Sequence, residues 1–355
     1  MSATRLRPRL LLTVLLVCAV LIPFFGGTAS AKPKNPPPPP ATLTIGVFNR
    51  PLPALAAEAY GFFAEQNLTV NYQQVTSSTQ QFQYLRDGLY DMIHSATDNW
   101  PNYRLNPNNA AGGTLNIQGV MGIDNSQNLA LVVRPEITSL EDLRGKRLAV
   151  DAPDSGFAYV LYRMLENVGL ERDVDYTIVI AGGNAGRYQQ LLAGDFDGTL
   201  LNAGFETRAA NAGFNILQVV TDVVDPYFGA FAGGRVDWME AHSSEVVRYI
   251  AAYYKASQWV FDPANKEAAI QLLMAQPNTT RELAEQLYDL QLNQSVGLIP
   301  DLSIDKEGLY NVLKLRDDFG GFELPQNLRR LSTPGGGLYT QKYYRDALKL
   351  VRHSN

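Results

Sequence analysis

The chain has 355 residues, 46% of them hydrophobic, and a formal net charge of −5. That length supplies a core for one or two domains, and an acidic chain without a basic stripe excludes nucleic acid as a partner. Its single cysteine, Cys18, excludes a disulfide framework and a cysteine-ligated metal.

Arg5, Arg7 and Arg9 precede an apolar run over residues 10–22, and Ala29-Ser30-Ala31 follows as an A-x-A cleavage signal. That order reads as a secretory signal peptide over residues 1–31, too short and one-sided for a membrane span. Val17 stands where a lipoprotein site wants a small residue, so the expected product is released near Lys32 rather than lipidated on Cys18. Loss of the three leader arginines takes the formal charge from −5 to −8. Residues 32–41 contain KPKNPPPPP, a stiff polyproline tether. No later segment is long and apolar enough to span a bilayer.

Residues 42–48 read as a strand, 51–60 as a helix ended by Gly61, and 68–75 as a second strand. Residues 76–79 cap a helix running to Arg86, Gly88 ends it, Asp91 sits in the turn, and Met92-Ile93-His94 begins a third strand. The same order returns after Gly145: strand 148–150, helix 156–167, strand 176–180, helix 185–193, Gly194, Asp197 and strand 199–201. Leu-x-x-Gly-x-x-Asp thus occurs twice, as Leu85/Gly88/Asp91 and Leu191/Gly194/Asp197. Each copy is followed by a polar stretch and a further strand, 115–120 and 216–220. Two βαβαβ units imply an α/β protein with two doubly wound lobes and parallel sheets. Residues 42–130 with 235–355 form the expected first lobe, and 131–234 the second. The duplication requires two crossings, expected at 131–135 and 228–234. Helices expected at 245–261, 266–274, 281–295, 305–319 and 342–351 would pack on the first lobe.

Enzyme signatures are missing: there is no Walker A loop, G-x-G-x-x-G, G-x-S-x-G or H-E-x-x-H. His94, His242 and His353 are not spaced as metal ligands, and only His94 falls near the expected cleft, where a structural role is the simpler reading. Neither a metal nor a cofactor is expected. The carboxylate pairs Asp151/Asp154 and Asp317/Asp318 read as caps and a solvated helix end.

Several stretches together resemble the type II periplasmic solute-binding proteins of ABC importers, in the nitrate, sulfonate, taurine and thiamine-pyrimidine-precursor group. They are AEAYGFF at 57–63 with Leu68-Thr69-Val70, the Leu-x-x-Gly-x-x-Asp pair, Leu131-Val132-Val133 with ITSLEDLRGKRLAV at 137–150, and LENVGL at 165–170. The resemblance covers about residues 42–259. It implies two lobes joined by a two-segment hinge, capture of a small solute and delivery to a membrane permease, by a monomer outside the cytoplasm. Enzymes of the menaquinone pathway and pyrimidine synthases share the fold, so an enzyme remains one alternative and a solute-presenting receptor module another.

Strand C-termini of doubly wound sheets present ligands to loops, so three loops from each lobe should line the cleft. The first lobe would offer Phe48, Asn49 and Arg50, then Ser77 and Ser78, then Thr97, Asp98 and Asn99. The second would offer Asp151, Ser155 and Gly156, Gly183 and Asn184, and the stretch from Asn202 to Glu206; Phe228 adds an aromatic face. Asp98 and Glu206 would repel an oxyanion and suit an amine or a ring with N–H donors, unless both merely cap the helices after them.

Overall fold

The computed structural model describes residues 38–354, so the leader and most of the proline tether lie outside the described residues. The first half runs β1 (Ala41–Val47), α1 (Leu52–Ala59), α2 (Phe62–Glu65), β2 (Leu68–Gln74), α3 (Ser78–Arg86), β3 (Met92–Ala96), α4 (Asn99–Leu105) and β4 (Ile117–Asp124). The second unit follows as β5 (Ala130–Val133), β6 (Arg147–Val150), α5 (Gly156–Glu166), β7 (Thr177–Ile180), α6 (Asn184–Ala193), β8 (Gly198–Leu201), α7 (Phe205–Asn211) and β9 (Asn215–Val219). The chain then returns through β10 (Ala230–Arg235) to α8 (Val236–Ala241), α9 (Ser243–Phe261), α10 (Lys266–Met274), α11 (Arg281–Leu292), α12 (Lys306–Asp318), α13 (Leu328–Leu331) and α14 (Lys342–Ser354).

Two five-stranded sheets result, ordered β2-β1-β3-β10-β4 and β7-β6-β8-β5-β9. The repeated punctuation has one physical cause in both. Asp91 Oδ2 accepts the Thr44 N–H at 2.8 Å, and Asp197 Oδ2 accepts the Arg147 N–H at 2.8 Å. Each aspartate therefore occupies the entry to its sheet, after a glycine in the left-handed region (Gly88 φ 74°, Gly194 φ 79°) that closes the preceding helix.

Neither sheet is purely parallel, contrary to the expectation. β5 is antiparallel to β8 and β9, and β10 is antiparallel to β3 and β4. These are the two strands that arrive from the other sheet, and a strand crossing over enters its new sheet running the opposite way. The crossings lie only in part where expected, sharing residues 228 and 229. Residues 131–133 are inside β5 of the second sheet, and 230–234 are inside β10 of the first. The connections between sheets are residues 125–129 and 220–229. Apolar residues at 131–133 and 230–232 mark buried central strands, not a hinge. The two crossings are tied together, for Gln127 Nε2 donates to Gly229 O at 2.9 Å.

The C-terminal helices pack more widely than on the first lobe. α9 and α14 complete the first-lobe core around Tyr249, Ala252 and Ala347. α12 instead serves both sides: Leu309 and Leu313 join Phe228 and Phe231, while Val312 and Leu315 join Tyr159 and Leu161 of the second lobe. Phe231 is fully buried among Trp100, Phe228 and Tyr339, with ring centroids 4.8–6.1 Å apart. Phe231→Ala should therefore cost about 3–5 kcal/mol of stability, read as a lowered midpoint in urea unfolding; a midpoint within error of wild type would show that this cluster does not hold β10 in place.

Candidate functional site

A cleft of 820 Å³ opens where the strand ends of both sheets face each other. Its volume suits a small organic molecule. Of the residues expected from sequence, it brings together Phe48, Asn49, Arg50, Asn99, Asp151, Ser155, Gly156, Asn202 and Glu206, with Gly183 and Asn184 beside them. Ser77, Ser78, Thr97, Asp98 and Phe228 do not line it.

Each exclusion has a cause. Ser77 is the N-cap of α3, its hydroxyl accepting from Gln80 N at 3.1 Å, and Ser78 is buried next to it. A Cβ built on Gly183 would come within 2.7 Å of Thr76 O, so the second lobe approaches this loop at its backbone. Thr97 is fully buried and donates its N–H to Gly229 O at 2.9 Å, and Phe228 is a core ring against Phe231.

Asp98 corrects both sequence readings, since it neither reaches the cleft nor caps α4. Its two oxygens accept from Arg316 Nε at 2.8 Å and Arg316 Nη2 at 2.6 Å, and both residues are only 1% exposed. Arg316 also donates to Asn102 Oδ1 (3.2 Å), Gly321 O (2.5 Å) and Asp154 O (2.9 Å). Burial pushes the Asp98 carboxyl up while Arg316 pulls it down. The two short bonds, one to each carboxylate oxygen, favour the ionised pair. Burial also works against charge on Arg316, yet Asp98 outweighs it and raises the guanidinium above its ordinary value. Gly156 opens the space for this pair, because a Cβ there would stand 2.4 Å from Asp98 Cβ.

Glu206 does line the cleft, but its oxygens are occupied. Oε1 accepts from Asn128 Nδ2 (2.8 Å) and Thr207 Oγ1 (3.1 Å), and Oε2 from the Gly204 N–H (2.9 Å) at the start of α7. Burial raises its carboxyl, against those hydrogen bonds. The capping role is the one this geometry supports. Asp151 accepts from Ser155 Oγ at 2.6 Å, and Ser155 in turn caps α5 through Ala158 N at 3.2 Å.

Amides dominate the rest. Asn99 Nδ2 donates to Ser95 Oγ (3.0 Å), Asn184 Nδ2 to Asn202 O (2.8 Å) and Asn202 Nδ2 to Gln127 Oε1 (2.9 Å). Among the described residues no donor reaches Asn99 Oδ1 or Asn202 Oδ1, so each lobe offers an amide acceptor. On the first-lobe side His94 Nε2 meets Tyr249 OH at 2.8 Å, and Tyr249 OH meets Tyr72 OH at 3.0 Å. Burial pushes the His94 imidazole down to about 3, so the ring is neutral at physiological pH.

Sequence reasoning missed Asp124, Gln127 and Asn128 at the first crossing, Arg187 on α6, and the wall formed by Leu287, Gln291 and residues 276–279. The crossing residues follow from the sheet order, since β4 ends at the cleft as β3 does. The α10–α11 wall left no local signal. For the buried pair, Asp98→Asn should destabilise the fold by about 3–5 kcal/mol, because it leaves the Arg316 charge buried and unpaired. Replacing both partners with apolar residues, Asp98→Leu with Arg316→Met, should recover most of that loss in thermal melting; equal melting temperatures for wild type and Asp98→Asn would remove the pair from any structural role.

The family model described as NMT1/THI5 like matches residues 50–266, more than half of the chain. No curated protein matches the sequence. Among solved structures, the periplasmic nitrate-binding protein NrtA of Synechocystis PCC 6803 is similar at 13% identity and TM-score 0.70, over 88% of this chain and 89% of that one. The alkanesulfonate-binding protein SsuA of Xanthomonas axonopodis pv. citri, bound to MOPS, is similar at 18% identity and TM-score 0.64, over 83% and 98%. The ligand-binding component of an ABC-type import system from Staphylococcus aureus, with zinc bound, is similar at 12% identity and TM-score 0.68, over 86% and 98%. At these identities the likeness is one of fold, the periplasmic binding protein type II architecture, and with the extent of the family match it establishes that the chain belongs to the NMT1/THI5-like family.

Proposed function

We propose that the protein is an extracytoplasmic solute-binding protein, which captures a small organic solute between its lobes and delivers it to an ABC permease as a monomer. The observation that carries this reading is the cleft itself. It is lined from both sheets, and it holds open acceptors on each side, Asn99 Oδ1 on the first lobe and Asn202 Oδ1 on the second. A solute that bonds to both lobes stabilises the closed arrangement relative to the open one, and this difference is all that capture and release require. Family membership and the fold shared with importer components support the reading, as does the leader-like sequence over residues 1–31.

The states of His94 and Glu206, two titratable groups of the cleft, support binding over catalysis by either of them. His94, the histidine that lines it, is held neutral by burial with its pKa near 3, so it is a poor proton acceptor at neutral pH. The carboxylate of Glu206 is occupied by a helix start and by Asn128.

Native mass spectrometry of protein purified without denaturation tests the reading. It should show a retained small molecule, released on unfolding. Asn99→Ala and Asn202→Ala should each weaken rebinding of that molecule about tenfold, the worth of one buried hydrogen bond. A bare protein mass, together with no thermal stabilisation by any member of a broad metabolite library, would be incompatible with solute capture.

A further inference from the structure

We infer that the solute is an organic ammonium, held through its cationic N–H groups by Asp124 on the first lobe. This inference rests on the solute-binding reading and adds the chemical class.

The charges lining the cleft lead to it. The lining cations are Arg50, Arg187 and Arg208. Arg50 pairs with Glu58 at 2.8 Å, and Arg208 donates to Asn278 O and to Thr279 Oγ1. Arg187 is buried, donates to Gly182 O and Leu200 O, and has Asp151 as its nearby countercharge. Only its Nε lacks an acceptor. Apart from Arg187 Nε, an oxyanion entering the cleft would thus meet guanidinium N–H groups already bonded to the protein.

The carboxylates differ. Both Glu206 oxygens are occupied, and Asp151 has Ser155 and Arg187 to answer it. Asp124 has no cationic partner among the described residues. Its Oδ1 is fixed by the Gln127 N–H at 2.7 Å, and a Cβ on Gly229 would stand 1.9 Å from that oxygen, so the carboxylate is clamped between the two crossings. The backbone N–H groups of Gln127 and Ser126 bond to the carboxylate, and the residue lines the cleft wall with no countercharge among the described residues. Burial pushes this carboxyl up to about 7, the response of a carboxylate that lacks a countercharge, and a bound cation would bring it down.

A second atom points the same way. His94 lines the cleft, is 93% buried by its 7% exposure, and its Nδ1 has no partner. Nε2 is engaged by Tyr249 and the ring is neutral, so Nδ1 accepts from a solute in the tautomer protonated on Nε2 and donates to it in the other. The register Ala96↔Ala230↔Asp124 places His94 on β3, two strands from Asp124 and two residues further from the strand ends. A solute with a second polar group, such as a hydroxyl, remote from its ammonium would answer both residues. Phe48, Tyr72 and Phe157 supply apolar surface for the carbon skeleton between them.

Calorimetry on protein stripped of solute tests this with butylammonium, 1,4-diammoniobutane and butanesulfonate as probes. The inference expects an ammonium probe to bind and butanesulfonate not to. Asp124→Asn, which keeps the Oδ1 acceptor for the Gln127 amide, should weaken the ammonium about tenfold or more. Binding of butanesulfonate but of neither ammonium probe would overturn it, as would an ammonium affinity unchanged in Asp124→Asn. Should that variant not fold, the wild-type contrast between probes decides alone. Should no probe bind, the retained molecule decides: an amine nitrogen upholds the inference, and its absence overturns the inference while leaving solute capture standing. No probe binding and no retained molecule would sink both.

Discussion

A carboxylate and a guanidinium shut away from water, Asp98 and Arg316, form the contact on which the rest of the arrangement depends. Taking both charges out of water costs several kcal/mol per ion, and only close geometry with every remaining N–H satisfied offsets it. Here it is met: two bonds join the pair, and Asn102, Gly321 and Asp154 accept the other N–H groups. The residues of this network come from the β3–α4 loop and α4, from α12 and the segment after it, and from the β6–α5 loop. The pair therefore fixes α12 against both lobes at one end of the cleft, and Gly156 is required there because any Cβ would strike Asp98. The Tyr159 and Phe319 rings, stacked 6.0 Å apart, and the Arg163–Asp318 bridge at 2.8 Å extend the same contact along α12.

With that end closed, the open volume lies around the crossings. β4 ends at Asp124 and the chain turns through Gln127 and Asn128, both in the left-handed region (φ 57° and 47°), before entering β5. Gln127 holds Gly229 of the second crossing on one side and Asn202 of the second lobe on the other. Residues that carry the chain between sheets are thus also residues of the cleft wall. Any rotation of one lobe against the other must move these side chains, which couples a solute in the cleft to the lobe arrangement.

What the sequence made legible was local. The doubled Leu-x-x-Gly-x-x-Asp punctuation follows from a helix end and a strand entry, and Asp91 and Asp197 perform that one task in both sheets. Ser155 and Thr280 stand where hydroxyl residues favour helix starts, and their oxygens accept from Ala158 N and Leu283 N. Long-range partnerships were not legible. Nothing near Asp98 announces Arg316, 218 positions away, so a residue that seemed poised at the cleft was assigned to it. The crossings were misplaced because an apolar, glycine-flanked run is compatible with both a central strand and a connection; sheet membership alone decides. The wall from α10 and α11 was missed because amphipathic helices show which face is apolar, not which neighbour covers it.

The central claim is that a solute bridges the two lobes within this cleft. A crystal structure of the protein purified without denaturation tests it most directly. The account predicts density for a small molecule that contacts Asp124 or Asn99 on the first lobe and Asn202 on the second within hydrogen-bonding distance. Density for a retained molecule held by one lobe alone, or bound outside the cleft, would contradict it.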